Sequence, residues 1–444
     1  MRDFQDLSWS EGAEAVLALL PRLTVMRGIN DSEPVRELDK CCSSLIEGDV
    51  RAASEACFRM TSALLRGPAR RVTGELFCDF LLHKLLLEPN PFSRMAAANR
   101  LDEAVYNAMK EDLDVLCNLR GLTGEILYRF VQERYDELRR RNRPNRDSAT
   151  RIAEAAWGGN AVRQVPEEAP APMPKLPAFL PNGAPNWHYG EEELREPYVS
   201  DEALEEMYHR FLSSGQDWPF MVEDLWNFFA AYGTGIFLKE RLFVWNCGKL
   251  VPMPEPRLAS YEPLLGEEYR ACLAHAIEFM RGDGAEPMLI LGAEGMGKTA
   301  MLFALADELP EMRFIYAPEC RSFSELLPLF EGLRDQPLKF MVAADDADLR
   351  GVAARVVPVN VLLTATTSAN SPSCRCFTKR VVLPQLRLDS FADMVCRLLD
   401  SEGASLPREV VRSACVDHQV DSKGELTVCA AVALAEKLRS AEAD

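Results

Sequence analysis

Residues Gly292-Ala293-Glu294-Gly295-Met296-Gly297-Lys298-Thr299 form the pattern G-x-x-x-x-G-K-[ST]. Each fixed position answers a need of phosphate chemistry. Glycines let the backbone turn so that successive N–H groups aim inward at a β-phosphate. Lys298 offers a point charge to the β- and γ-phosphates, and the Thr299 hydroxyl can ligate Mg2+. A helix that begins there adds the partial positive charge of its N-terminus. Composition alone yields such a pattern in roughly one or two chains per hundred of this length, so the surroundings decide. Pro287-Met288-Leu289-Ile290-Leu291 just before it reads as a buried strand. After it, Met301, Leu302, Leu305 and Ala306 share one helical face, and Pro310 ends the helix. Strand, glycine loop and helix is the arrangement this chemistry requires.

A metal-side carboxylate should come from a second strand. Phe340-Met341-Val342-Ala343-Ala344 is an apolar run that ends in Asp345-Asp346. In nucleotide hydrolases of this kind the first acid holds Mg2+ through water and the second polarises the attacking water. An acidic pair closing a strand also fits a plain solvated turn. The strand-like run Arg313–Tyr316 between the two motifs favours the metal reading. Asp346 is shorter than the glutamate usual at its position. A third run, Val359–Thr366, ends near Thr367, Ser368 and Asn370, which are either sensors of a γ-phosphate or ordinary turn residues.

The elements that must position these groups sit in a chain of 444 residues, enough for roughly three domains. Hydrophobic residues at 48% and charged residues at 27% are ordinary for a globular protein. With 68 acidic and 50 basic side chains the formal charge is −18. Such a surface repels phosphate backbones and anionic lipid, so nucleic acid and membrane are disfavoured as partners. The 13 cysteines are scattered without a C-x-x-C, and the five histidines are scattered too. They read as small buried hydrophobes rather than zinc ligands or disulfides. The first residues lack the pattern of a signal peptide, and no apolar run approaches a membrane span. Reduced thiols in a cytoplasm are the expectation.

Residues 1–142 carry apolar residues at helical spacing, most clearly from Leu101 to Leu138 with a break near Gly121 and Gly124. His83, on an apolar helix face, reads as a core residue. The basic run Arg139-Arg140-Arg141 reads as a solvated helix end more than a nucleic-acid contact. Seven prolines between Pro166 and Pro185 mark a semi-extended tether, with partner docking as a second role. Trp187 and His188 at its end are candidates to anchor it. Helical patterning returns at Asp201–Leu212 and Val222–Tyr232. It then yields to extended runs at Ile236–Leu238 and Arg241–Trp245, with a hairpin turn at Asn246-Cys247-Gly248. Alternating strand and helix runs in the last third predict an α/β fold with a mostly parallel sheet.

Several segments together resemble a known family. These are Glu88-Pro89-Asn90-Pro91-Phe92-Ser93, the run from Phe228 to Phe237, Phe243-Val244-Trp245 and Leu250-Val251-Pro252, beside the glycine loop. The chain resembles the bacterial family of predicted ATP-binding proteins called domain of unknown function 815, a divergent branch of the AAA+ class. Leu264-Leu265-Gly266 resembles the AAA+ segment that lines the adenine pocket. The resemblance runs from about residue 75 to the C-terminus, with the proline segment as a gap.

It implies an α/β P-loop (AAA+-like) parallel-sheet domain with a small C-terminal helical lid, preceded by an all-α N-terminal domain and a Pro-rich linker. The expected boundaries are 1–142, 143–195, 196–256 (helix and hairpin), 257–385 (nucleotide-binding core) and 386–444 (lid). Departures from the family also matter. Its asparagine falls on Ser368, and its Asp-Arg-Phe-Gly segment is reduced to Cys374-Arg375-Cys376-Phe377, leaving Arg375 as the trans-acting arginine. The lid's Ser-Gly-Arg is replaced by Ser422-Lys423-Gly424-Glu425. An arginine aimed at phosphoryl-transfer charge is worth roughly 10³–10⁵ in rate. The expectation is therefore ATP and Mg2+ binding with slow or partner-dependent hydrolysis, in a homo-oligomeric ring and with an unidentified protein partner. A nucleotide-gated scaffold without turnover is the alternative. A P-loop kinase is a further one, for which no acceptor site is recognisable.

Overall fold

The computed structural model describes residues 3–67, 71–141, 176–177, 180–181, 183–189, 201–215, 217–246, 248–253, 266–282, 286–318, 320, 322–345, 356–367, 377–401, 403–404, 406–421 and 426–443. The chain divides into two compact units, Met1–Ala230 and Ala231–Asp444. The boundary falls inside the segment 196–256.

The first unit is built from helices among its described residues. They include α1 (Trp9–Leu19), α2 (Glu33–Glu47), α3 (Val50–Arg66), α4 (Leu76–Leu87), α5 (Pro91–Ala97), α6 (Glu103–Leu119) and α7 (Gly124–Arg141). Their starts are written in the sequence. Ser8 and Glu11 form a reciprocal capping box on α1, and Asp102 accepts from the Ala104 and Val105 amides of α6. The break expected near Gly121 and Gly124 separates α6 from α7. Every residue of α4 except Lys84 is buried, His83 included, as befits a helix that is apolar on most of its circumference. Its buried Asp79 accepts from the Val72 and Thr73 amides at 3.1 and 2.8 Å and from the Tyr189 hydroxyl. Burial still raises the Asp79 carboxyl above its ordinary range.

The described end of the proline-rich segment lies along these helices. Tyr135 donates to the Pro177 carbonyl at 3.2 Å, and Tyr128 donates to that of Pro181. Trp187 is 1% exposed, and its indole N–H donates to Thr61 Oγ1 at 2.8 Å. His188 Nδ1 sits 2.7 Å from Glu75 Oε1. The anchoring role expected of Trp187 and His188 is thus visible as a buried ring and an imidazole set against the Glu75 carboxylate.

In the second unit a sheet of seven strands carries the order β2-β1-β4-β5-β6-β3-β7 among the described residues. The strands are β1 (Leu242–Asn246), β2 (Lys249–Pro252), β3 (Met288–Leu291), β4 (Arg313–Ala317), β5 (Phe340–Ala344), β6 (Val361–Thr367) and β7 (Lys379–Val382). β1 and β2 pair antiparallel as the expected hairpin, and every other pairing is parallel. Ile236-Phe237-Leu238 is not extended: it belongs to a short helix, Ile236–Lys239. Three apolar residues are too few for periodicity to decide between helix and strand. Gly235, at φ 67°, turns the chain so that Phe237 packs on Phe243 and Phe340.

Helices cover both faces of the sheet. Met288 and Ile290 face a core shared with α8 (Gly266–Arg281), α9 (Lys298–Glu308) and the helices α10 (Leu388–Ser401), α11 (Arg408–Asp421) and α12 (Val428–Ala443). Leu289 and Leu291 face the opposite core with Leu329, Phe330 and Leu333 of the helix Leu327–Arg334. This alternation follows from the two-residue period of a strand, and burial on both faces explains why the strands read as continuous apolar runs.

A β-carbon on Gly124 would lie 2.4 Å from the Pro185 carbonyl oxygen and 3.0 Å from the Trp187 ring. Gly124→Ala is therefore expected to lower the stability of the helical unit by about 1–3 kcal/mol, read by urea unfolding with tryptophan fluorescence. An unchanged midpoint would contradict the seating of Trp187 against α7.

Candidate functional site

The glycine loop leaves the C-terminal end of β3 and enters α9 at Lys298. Gly292 N–H donates to the Thr367 carbonyl at 3.2 Å, so the ladder between β3 and β6 continues into the start of the loop. Gly295 and Gly297 hold φ of 74° and 77°, a left-handed conformation that costs a residue with a β-carbon about 1–2 kcal/mol. Ala293 and Glu294 are exposed at the crest, while Met296 is buried and joins the core beneath. No side chain caps the first turn of α9. Its leading amides are therefore donors free to meet an anion.

Lys298 Nζ turns back onto the carbonyls of Gly292 and Ala293, at 3.0 Å each. The ammonium thus lies inside the curl of the loop. Thr299 Oγ1 donates to Asp345 Oδ2 at 2.6 Å, and the Tyr316 hydroxyl donates to the same oxygen at 2.9 Å. Thr366 Oγ1 donates to Asp345 Oδ1. Burial first, then the hydrogen bond to Asp345 and its charge, push the Tyr316 phenol well above its ordinary value. It is a neutral donor through the physiological range.

These groups fit a nucleotide with magnesium. Mg2+ takes oxygen ligands and is commonly held by one or two protein oxygens with phosphates and waters completing the set. Thr299 and Asp345 offer such oxygens beside the loop. No cluster of three or more His, Cys, Asp or Glu side chains suited to holding a metal by itself occurs among the described residues.

The structure brings Gly292–Thr299 and Asp345 together. Leu265, Asp346 and Arg375 lie outside the described residues, as do Ser368, Asn370 and Ser422–Glu425. Thr367 reaches the loop through its backbone carbonyl. Sequence reasoning missed Tyr316 and Thr366, the partners of Asp345 from β4 and β6. A signal did exist: each is a hydroxyl near the C-terminal end of an apolar strand, the edge where ligands of parallel sheets gather. It also missed the seat of α12 on the loop. The Cys429 N–H donates to the Gly295 carbonyl at 3.0 Å, and a β-carbon on Gly295 would meet Thr427 Oγ1 at 3.2 Å.

Most described cysteines are buried, with Cys396 partly so and Cys429 exposed. Burial pushes the Cys272 thiol up to about 12 and the Cys320 and Cys415 thiols up to about 11, which suits packing rather than ligation or nucleophilic work. Among the described residues no helix is long and apolar enough to cross a membrane.

The sequence has no match among curated proteins. Among solved structures the chain is similar to the Thermotoga maritima RuvB Holliday junction branch migration motor at 18% identity, covering 42% of this chain and 65% of that one with a TM-score of 0.31. The Walker-type ATPase PABY2304 of Pyrococcus abyssi is similar at 16% identity, over 43% of this chain and 71% of that one, with a TM-score of 0.27. The Aeropyrum pernix ORC2 protein is similar at 12% identity, over 42% and 69%, with a TM-score of 0.24. The chain thus spans a little under two thirds of the RuvB motor's length. Residues 239–366 match the model of a family described as a protein of unknown function, DUF815. Across that segment, which carries the glycine loop, Tyr316, Asp345 and Thr366, this protein resembles the DUF815 family.

Proposed function

We propose that the protein binds ATP with Mg2+ in the manner of an AAA+ protein and couples slow or partner-dependent hydrolysis to movement of its C-terminal helices. The observation that carries this reading is the 2.6 Å hydrogen bond between Thr299 and Asp345 beneath a loop whose lysine has turned back onto its own carbonyls. An ammonium held by two neutral carbonyls gains when phosphate oxygens replace them, because charge-assisted hydrogen bonds are the stronger kind. In this reading the loop amides and Lys298 hold the β- and γ-phosphates, and Thr299 and Asp345 form the metal side. Bound Mg2+ would neutralise charge developing on the transferred phosphoryl group. Leu265 would line the adenine pocket and Asp346 would position water. Arg375 would reach the site of a neighbouring subunit in a ring.

The seat of α12 on the loop supports coupling to the lid. The Gly295 carbonyl that accepts from Cys429 belongs to the same backbone curve whose amides would turn toward phosphate. A change in the loop therefore moves the start of α12, and through it the helices packed against it. The replacement of the lid arginine motif by Ser422-Lys423-Gly424-Glu425 supports slow turnover in the isolated protein.

Isothermal titration of ATP with Mg2+ should show binding to the wild type, weakened about 10- to 100-fold in Lys298→Ala, since a hydrogen bond to a charged group is worth about 1.5–3 kcal/mol. A wild type that binds no ATP would end the proposal. Phosphate release by the same samples should run below about 1 s⁻¹ without a partner. Asp346→Asn should retain ATP on the protein while release stops. Indifference of release and retention to that substitution would move the reading to a scaffold gated by nucleotide without hydrolysis.

A further inference from the structure

Asp345 stands just past the end of β5, and β5 lies between β4 and β6 in the sheet. Each neighbouring strand sends one hydroxyl to it. Tyr316 of β4 reaches Oδ2 at 2.9 Å, and Thr366 of β6 reaches Oδ1. Thr299, at the start of α9, reaches Oδ2 from a third direction at 2.6 Å. The Thr366 side chain is fully buried, and the Tyr316 ring packs on Phe303 with centroids 5.1 Å apart. Neither donor is a loose surface group that happens to swing toward a carboxylate.

A hydroxyl has one proton to donate and lone pairs to offer. Thr299 can present lone pairs to a metal while its proton is directed into Asp345, and it does direct its proton there. The orientation of that hydroxyl is therefore set by the position of the Asp345 carboxylate. That position is set in turn by the donors on its flanks. We infer that Tyr316 and Thr366 are positioning residues that hold Asp345, and through it the Thr299 hydroxyl, for the metal side of the nucleotide site.

This inference rests on the nucleotide reading above and adds to it two residues whose hydroxyls reach Asp345. A merely structural role would be to satisfy a half-buried carboxylate. That role predicts lost stability and an even loss of nucleotide affinity, with no selective effect on the metal. Positioning predicts a selective one, because groups that orient metal ligands typically change metal affinity by about 10–100-fold when removed.

The test is the ratio of ATP affinity in excess Mg2+ to ATP affinity in EDTA, measured by titration calorimetry on the full chain. Tyr316→Phe keeps the ring and its packing, and Thr366→Val keeps the shape. Each should lower that ratio about ten-fold or more, with affinity in EDTA unchanged. Thr366→Ser, which restores the hydroxyl, should restore the ratio. A ratio equal to the wild type in Tyr316→Phe and Thr366→Val would overturn the inference, and so would an equal loss of affinity with and without Mg2+. In either case wild-type binding would leave the nucleotide reading standing. A wild type that binds no ATP under either condition would overturn both.

Discussion

A carboxylate at the edge of an apolar sheet needs donors, and the donors of Asp345 come from three different elements. Tyr316 on β4, Thr366 on β6 and Thr299 at the head of α9 converge on its oxygens. The glycine loop leaves β3 beside β6, and its first amide is bonded to the Thr367 carbonyl. The strand order therefore sets the site. With β6 between β3 and β5, the loop and the acid lie one strand apart, and the intervening strand contributes to both. An unpaired carboxylate there would be costly, and one bonded to three hydroxyls is fixed in place.

The same economy of backbone groups joins the site to the C-terminal helices. Gly295 gives its carbonyl to the start of α12, and its left-handed φ and its lack of a β-carbon both permit the close approach of Thr427. The first unit uses glycine to a comparable end: at Gly124 the absent side chain admits Trp187 and the Pro185 carbonyl. In both units a segment remote in sequence is seated where a single hydrogen atom stands in place of a side chain.

The glycine loop, the strand before it and the helix after it were legible because local spacing encodes all three. The apolar runs of β4, β5 and β6 were legible for the same reason, and so was the hairpin of β1 and β2. Asp345 could be placed because an acid ending a buried strand is conspicuous. Tyr316 and Thr366 could not be assigned to it, since pairing across strands depends on strand order, which one chain's spacing does not carry. Thr364 and Thr366 look alike along β6, yet only the geometry shows which hydroxyl meets Asp345. The contact of Cys429 with the loop was hidden for a similar reason: it joins residues far apart through backbone atoms that every residue possesses. Ile236–Lys239 was misread because three apolar residues carry too little periodicity.

A loop and an Asp345 that form the phosphate and metal sides of one nucleotide site must both be occupied when nucleotide is bound. A crystal structure with Mg2+ and a non-hydrolysable ATP analogue tests this most directly. In that complex Lys298 Nζ should leave the Gly292 and Ala293 carbonyls for the β- and γ-phosphate oxygens. The Thr299 hydroxyl should ligate the metal at about 2.1 Å while still donating to Asp345. Clear density for the analogue elsewhere, with Lys298 still on those carbonyls, would contradict it.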